Sequence, residues 1–423
     1  MADNRNPIKS TGWSLKEIAK KFKDGITTHS ESKGEMGEVS TPLVNLPLNR
    51  DLYFSYGVGE VEFFRNSVGT YFDLQNIMRT AQMNVPRFGP NGLLVEYQTT
   101  NLIAYSTDSA SSRWTAPNSG WAGSINAYFS PDGTKNADKI LTSKTASTLR
   151  FVLSNTPTDT QGTLANMSAG TYTFSFYIKD VDGGVQSLNI LVGSENIDLE
   201  YNTSDKWTRQ IATFTVTAFT NIDLIIGSDG TLNNSSIWGV QLEKEEGVSS
   251  LIQTVGTGLT RKADFVEVQG LNNFPDCTKV SATIQFTPVN TSGGYDIMGG
   301  YDGTTKVTSF SLDDSLSLKA LVIDENDVGS SLATPPDYIE LEDAQTYTFG
   351  YALNNQNDTC DLFLGSVILP STASIVNDFI PKGIVDTIVL GGERGNSTAR
   401  MAGYIKNLKI FDKTLIKASF SLI

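Results

Sequence analysis

The chain has 423 residues, too many for one ordinary core, so two or three domains are expected. Hydrophobic residues make up 39% and charged residues 18%, a balance that excludes a disordered chain. The formal net charge of −14 argues against nucleic acid or an anionic membrane as the main partner, since such binding is led by Lys and Arg, and it fits simple solubility.

No apolar run approaches the roughly 20 residues that cross a bilayer, so no membrane insertion is expected. Residues Met1 to Trp13 contain no apolar signal-peptide core, which predicts synthesis and assembly in a cytoplasm. Cys277 and Cys360 are too few for a disulfide framework, and free buried thiols are expected in a reducing compartment.

Residues 1–42 read as a segment apart. Ser14 and Glu17 have capping-box spacing, and Leu15, Ile18, Ala19 and Phe22 fall on one helical stripe, with Gly25 as a stop. A helix of about ten residues is marginal alone because nucleation is costly. It must therefore fold back on its own protein or dock in a partner's groove, with Trp13 as a hydrophobic staple or as an anchor in that groove. A polar, Gly-containing tether follows it through residue 42.

From residue 43 the pattern is β-like. Tyr172, Phe174, Phe176 and Ile178 alternate with Thr171, Thr173 and Ser175, the signature of a half-buried strand. Phe214 and Val216, then Ile222, Leu224 and Ile226, repeat it, and Asp182-Gly183-Gly184 and Ser228-Asp229-Gly230 mark turns. After Leu271 a second set alternates: Ala282, Ile284 and Phe286; Leu316, Leu318, Ala320 and Val322; Tyr347, Phe349, Tyr351 and Leu353; and Ile388 with Leu390. Many short strands with Gly/Asp turns predict a mainly β chain with two antiparallel sandwich or jelly-roll domains behind the N-terminal anchor helix and tether. No heptad run predicts a coiled-coil shaft.

Few residues suggest chemistry. The single histidine, His29, leaves the body without a Ser-His-Asp triad or a His-rich zinc site, and no phosphate-binding Gly motif occurs. Acidic clusters at Asp313-Asp314, Glu325 with Asp327, and Glu243, Glu245 and Glu246 leave a carboxylate pair open, but the chain is expected not to be an enzyme. No resident cofactor is expected. Asp324 and Asp327, and Asp296 with Asp302, are candidate Ca²⁺ ligands, although an acidic hairpin turn is the commoner reading of such a pattern. Sugar binding needs an aromatic face beside polar groups. Trp121 in a Gly/Ser loop is the first candidate, followed by Tyr295 and Tyr301 in a Gly-rich segment, whereas Trp114, Trp207 and Trp238 read as core.

One stretch names a setting. Arg65-Asn66-Ser67, Gly69-Thr70-Tyr71-Phe72-Asp73, Asn84-Val85-Pro86-Arg87-Phe88, Gly92-Leu93-Leu94-Val95-Glu96 and Thr100-Asn101-Leu102-Ile103 together resemble the preamble of bacteriophage head-spike, head-fibre and tail-fibre proteins. The strand from Gly170, Trp207-Thr208-Arg209 and the exit Ile237-Trp238-Gly239-Val240-Gln241-Leu242-Glu243 resemble a carbohydrate-binding-module jelly roll of the galactose-binding-like kind. An ending at Thr260-Arg261-Lys262-Ala263-Asp264 follows, with Leu251-Ile252-Gln253-Thr254 where the phage relatives often carry a Pro. Gly403 to Leu415 resembles the closing strand of a concanavalin-A-like, laminin-G-type lectin sandwich.

The resemblance implies a preamble at 43–105, a jelly roll at 106–270 and a lectin sandwich at 271–423. It implies a homotrimeric virion appendage, held on a capsid or tail protein through the N-terminal segment, head attachment being slightly preferred. Its β domains would adhere to host cell-surface glycans. A secreted bacterial lectin and a tail-spike depolymerase are the alternatives; the missing signal peptide counts against the first, and the missing β-helix repeat against the second.

Overall fold

The computed structural model describes residues 41–57, 59–108, 114–115, 122–141, 149–151, 164–180, 184–192, 195–217, 220–226, 235–271, 279–290, 294–313, 317–323, 329–336, 339, 341–354, 359–370, 372–374, 385–396 and 401–415. The expected anchor helix, with Trp13, Leu15, Ile18, Ala19 and Phe22, lies outside them, as do His29, Trp121, Cys277, Asp324 and Asp327. The described residues are mainly β, in antiparallel sheets, with no α-helix among them. None of their helices is long and apolar enough to cross a membrane, since none exists.

Two compact units divide the chain. The first gathers residues up to Phe63, Asn91–Val95 and Phe265 onward; the second holds Phe64–Pro90 and Glu96–Asp264. The 43–105 preamble therefore forms no unit of its own, because its strands pair with partners far along the chain in both units.

In the first unit, one sheet runs Val367–Ile368, Thr359–Leu364, Tyr347–Asn354, Lys279–Asn290, Ala402–Phe411 and Gly92–Val95, and Val44–Leu46 also pairs with Ala402–Phe411. The other runs Glu60–Phe64, Phe265–Gln269, Thr387–Leu390, Tyr295–Asp302, Thr305–Leu312, Leu318–Ile323, Gly329–Ala333 and Thr372–Ser374. The alternating residues of the C-terminal half face one another across these sheets. Phe310 of one sheet lies 6.2 Å from Phe349 and 5.7 Å from Tyr351 of the other, and Phe286 lies 5.9 Å from Tyr295. Two sheets packed through edge-to-face and tilted rings make a β-sandwich. Gly92 has φ +114°, and a Cβ there would meet the carbonyl oxygen of Ile405 at 2.4 Å, so only glycine lets this short strand join Ala402–Phe411.

The second unit carries a five-stranded sheet, Thr208–Val216, Gly170–Asp180, Ser235–Glu243, Ala137–Leu141 and Ala122–Tyr128. It also carries a six-stranded sheet built on Glu195–Thr203, Gly184–Val192, Thr220–Ile226, Leu149–Phe151 and Trp114–Thr115, with Leu164–Met167 beside Thr220–Ile226. The strand read as half-buried is buried on both faces. Tyr172, Phe174, Phe176 and Ile178 enter the core as expected, but Thr173 and Ser175 are sealed too. The polar face is covered because Thr173 Oγ1 donates to the Glu245 carbonyl at 2.8 Å and Ser175 Oγ accepts from Arg209 at 3.0 Å. Alternation in the sequence registers which side is apolar, not which side is wet.

The aromatic layer of the first unit makes a stability prediction. Phe310→Ala removes a fully buried ring that touches two aromatic partners, and should lower unfolding free energy by about 3–5 kcal/mol, measured by chemical denaturation.

Candidate functional site

Five charged residues from the motifs that carry the phage resemblance meet in one place in the second unit. Arg65, Arg87, Glu96, Arg261 and Asp264 are all essentially inaccessible to water. Arg65 Nη1 reaches Asp264 Oδ1 at 3.0 Å, and Arg87 Nη2 is bonded to Asp264 Oδ2. Arg87 Nη1 lies 2.6 Å from Glu96 Oε2, and Arg261 Nη1 lies 3.2 Å from the same oxygen. Three guanidinium groups thus face two carboxylates. Backbone carbonyls absorb the excess positive charge: Arg65 donates to the carbonyls of Ser67, Gln82 and Val85 at 3.0, 2.9 and 3.2 Å. Arg87 donates to that of Thr70 at 2.9 Å and Arg261 to that of Tyr97 at 3.0 Å.

Local structure places each group. The Asn84 backbone N–H donates to the Arg65 carbonyl and the Asn84 side chain accepts from the Arg65 N–H, both at 3.0 Å, so the Asn84 turn pins Arg65. Asn84 holds φ +58°, a conformation asparagine tolerates better than most residues. A Cβ on Gly69 would stand 3.2 Å from Arg65 Nε and 3.3 Å from Arg87 Nη1, so a bare backbone is what lets two guanidiniums crowd there. The Glu96 and Asp264 backbones exchange contacts: Asp264 N–H donates to the Glu96 carbonyl at 3.0 Å, and Glu96 N–H to Asp264 Oδ2 at 2.9 Å. The Ser250 N–H and hydroxyl donate to Glu96 at 2.6 and 2.7 Å.

A second buried network extends the first. Asn101 is sealed with all of its amide used: it donates to the carbonyls of Val240 and Ile252 and accepts from the N–H groups of Ile103 and Leu242, at 2.9–3.2 Å. Gln241 accepts from Ile252 N–H at 2.6 Å and donates to Glu243 at 2.7 Å, and Glu243 also accepts from the Ser249 hydroxyl at 2.6 Å. Thr254 and Ser106 exchange bonds at 2.9 and 3.0 Å. Asn101–Ser106 and Val240–Thr254 are tied together, and Gln241 reaches the carbonyl of Ser250, which bonds Glu96 of the charge cluster.

The electrostatics follow from burial and partners. Burial alone would raise the Glu96 carboxyl, but Arg261 and Arg87 outweigh it and hold it down at about 2. Arg87 is driven above the ordinary arginine value, the charges of Asp264 and Glu96 overcoming the cost of burial. Glu243 is pushed up by burial. Glu245 is pushed up to about 7 by burial and by the neighbouring Glu243 and Glu246. No carboxylate of the charge cluster is open to a substrate, so its chemistry is structural.

The aromatic candidates fare differently from expectation. Tyr295 and Tyr301 are 5% and 3% exposed, so neither presents a ring face for stacking. The Gly-rich segment is not a loop but the strand Tyr295–Asp302, buried along most of its length. Tyr301 accepts a hydrogen bond from Arg394 N–H at 3.0 Å, and the Arg394 guanidinium lies 6.0 Å from its ring. Trp238 is core, as expected. Trp207 is only partly buried. Asp296 is engaged by Lys306 at 2.5 Å and Asp302 is exposed; among the described residues no three His, Cys, Asp or Glu side chains are grouped to hold a metal ion. Cys360 is a free thiol, pushed up to about 12 by burial, which makes it a poor nucleophile.

No family model matches the chain and no curated protein matches it. Among solved structures it is similar to the botulinum neurotoxin serotype D binding domain, at 19% identity over 38% of this chain and 40% of that chain, with a TM-score of 0.30. It is likewise similar to the NanB sialidase from Streptococcus pneumoniae, at 15% identity over 34% of this chain and 24% of that chain, with a TM-score of 0.31. A native heptameric SAP-like pentraxin from Limulus polyphemus matches at 14% identity over 35% of this chain and 70% of that chain, with a TM-score of 0.29. The chain spans well under half the length of the neurotoxin domain and the sialidase, and likenesses this partial carry no argument about function.

Two predictions concern the charge cluster. Asp264→Asn leaves three buried guanidiniums facing one carboxylate, and should cost about 3–5 kcal/mol in chemical denaturation. Glu96 is depressed from 4.5 to about 2, so its contribution, roughly 3 kcal/mol, is complete above about pH 4.5 and lost as pH falls through about 2. The stability gap between the wild type and Glu96→Gln should therefore be constant from pH 5 to 7 and shrink below about pH 4.5. A gap that stays constant down to pH 2 would show the carboxylate is not held by its arginines.

Proposed function

We propose that this chain is a non-catalytic display protein of a bacteriophage virion, attached through its N-terminal segment and presenting β domains for adhesion to host surface glycans. One observation carries the reading. Five charged residues of the preamble and exit motifs that resemble phage fibre and spike proteins form a single sealed cluster. What supports the reading is that these motif residues are brought together from both ends of the segment 65–264. Such a clasp suits a particle exposed to shear and proteases, where a domain held at two points outlasts one on a single linker.

The remaining features agree with display. Single sugar contacts are weak, and many copies on one particle supply avidity of about 10²–10⁴-fold. A homotrimer docked on a capsid protein is the assembly we favour, by analogy with the closed cyclic symmetry common in fibres.

Immunogold electron microscopy of intact phage particles, with antibody against residues 273–423, tests the reading. Label on heads is the expected result, and label on tails would move the attachment point. Unlabelled particles, with the protein free in the culture fluid, would overturn the virion reading in favour of a secreted lectin.

A further inference from the structure

The second unit holds an aromatic side chain that its own packing does not use. Trp207 precedes the strand Thr208–Val216, one edge of the five-stranded sheet, while Phe129 follows Ala122–Tyr128, the opposite edge. The two nevertheless meet: the Trp207 indole N–H donates to the Phe129 carbonyl at 3.0 Å. Beneath this bond lie Met78, Ala137, Tyr177, Trp238 and Leu251. The staple consumes the carbonyl of Phe129 and the N–H of Trp207. It makes no use of the Phe129 ring, which stands 66% exposed.

The loop that carries Phe129 is fixed in advance. Asp132 Oδ1 accepts from the Ser130 hydroxyl at 2.5 Å and from the Thr134 N–H and hydroxyl at 2.8 and 2.6 Å. Ser130 N–H donates to the Thr134 carbonyl at 2.9 Å, and the Pro131 carbonyl accepts from Met78 N–H at 3.0 Å. Such a loop loses little freedom on binding, which lowers the cost of association. Its surroundings are polar: Gly133, Thr134 and Lys135 are exposed on one side, and Asp205 and Lys206 precede Trp207 on the other.

A lone exposed phenylalanine is ordinary on a protein surface. This one begins a hydrogen-bonded loop, is tied through its carbonyl to a partly buried tryptophan, and is flanked by the exposed polar residues Thr134, Lys135, Asp205 and Lys206. A protein partner's apolar surface would leave those polar groups dry and unpaired. A pyranose matches both parts, with C–H groups on one face for the ring and hydroxyls at its rim for the polar groups. We propose that Phe129, held through its carbonyl by Trp207, is a stacking platform for a neutral or anionic sugar, with the 130–135 loop and Lys206 at its rim.

The proposal rests on the glycan-adhesion reading, and its test separates the two. The full-length protein is presented with methyl glycosides of glucose, galactose, N-acetylglucosamine, rhamnose and sialic acid, followed by saturation-transfer NMR and by tryptophan fluorescence. At least one glycoside is expected to bind and to perturb fluorescence. Phe129→Ala should weaken that binding about tenfold or more, a loss of stacking expected from aromatic contacts. Trp207→Phe, which keeps the ring but removes the staple, should weaken it less while circular dichroism stays unchanged. Val255→Ala, at another exposed apolar position, should change nothing. Binding retained in Phe129→Ala would overturn this site and leave glycan adhesion standing. No binding of any glycoside by the wild type would overturn both.

Discussion

Everything in the second unit depends on putting five charged side chains where water cannot reach. Stripping water from one guanidinium or carboxylate costs several kcal/mol, so such a cluster forms only when every partner arrives together. Arg65, Arg87 and Glu96 lie before the strands of the five- and six-stranded sheets, and Arg261 and Asp264 after them. The cluster is therefore incomplete until the chain has left and returned. An apolar core could be built with many alternative pairings of its strands. Three guanidiniums and two carboxylates with fixed carbonyl acceptors accept essentially one. The cluster's value is in specifying a single arrangement of the two ends, more than in adding net stability.

Much of the fold was legible in the sequence. The strands from Gly170, Thr208, Thr220, Lys279, Leu318, Tyr347 and Thr387 fall where two-residue alternation placed them, and that from Ala402 where the resemblance to a closing strand placed it. The two-sheet sandwich of the C-terminal half follows from that pattern. What could not be read was pairing between distant segments. Nothing in Val44–Leu46 or Gly92–Val95 says that both join Ala402–Phe411, because the choice of partner is made by tertiary packing and not by the strand itself.

The candidate site was less legible, for a physical reason. Tyr295 and Tyr301 lie in glycine-rich surroundings, which in a sequence read as a loop. In this sandwich the glycines do something else: a Cβ on Gly300 would stand 2.5 Å from the Thr308 side chain, so glycine there admits close packing inside a sheet. Arg65, Arg87 and Asp264 were noticed only as letters of a motif. A signal existed, since arginines sitting in apolar strings of a chain with 18% charged residues must find buried partners. Phe129 gave no sign at all, because its exposure is set by a hydrogen bond from a residue on the opposite edge of the sheet.

The pairing of Val44–Leu46 with Leu408–Ile410 has a consequence for how the protein is made. A strand that emerges early from the ribosome must wait for one synthesised near the end. At about 5–20 residues per second the delay is roughly 20–70 s, during which an apolar strand stands without its neighbour. The nascent chain must stay clear of other nascent chains on the same message for that whole interval. Its yield in a cell should thus depend on the spacing of ribosomes and the supply of holdase chaperones as much as on the stability of the finished sandwich.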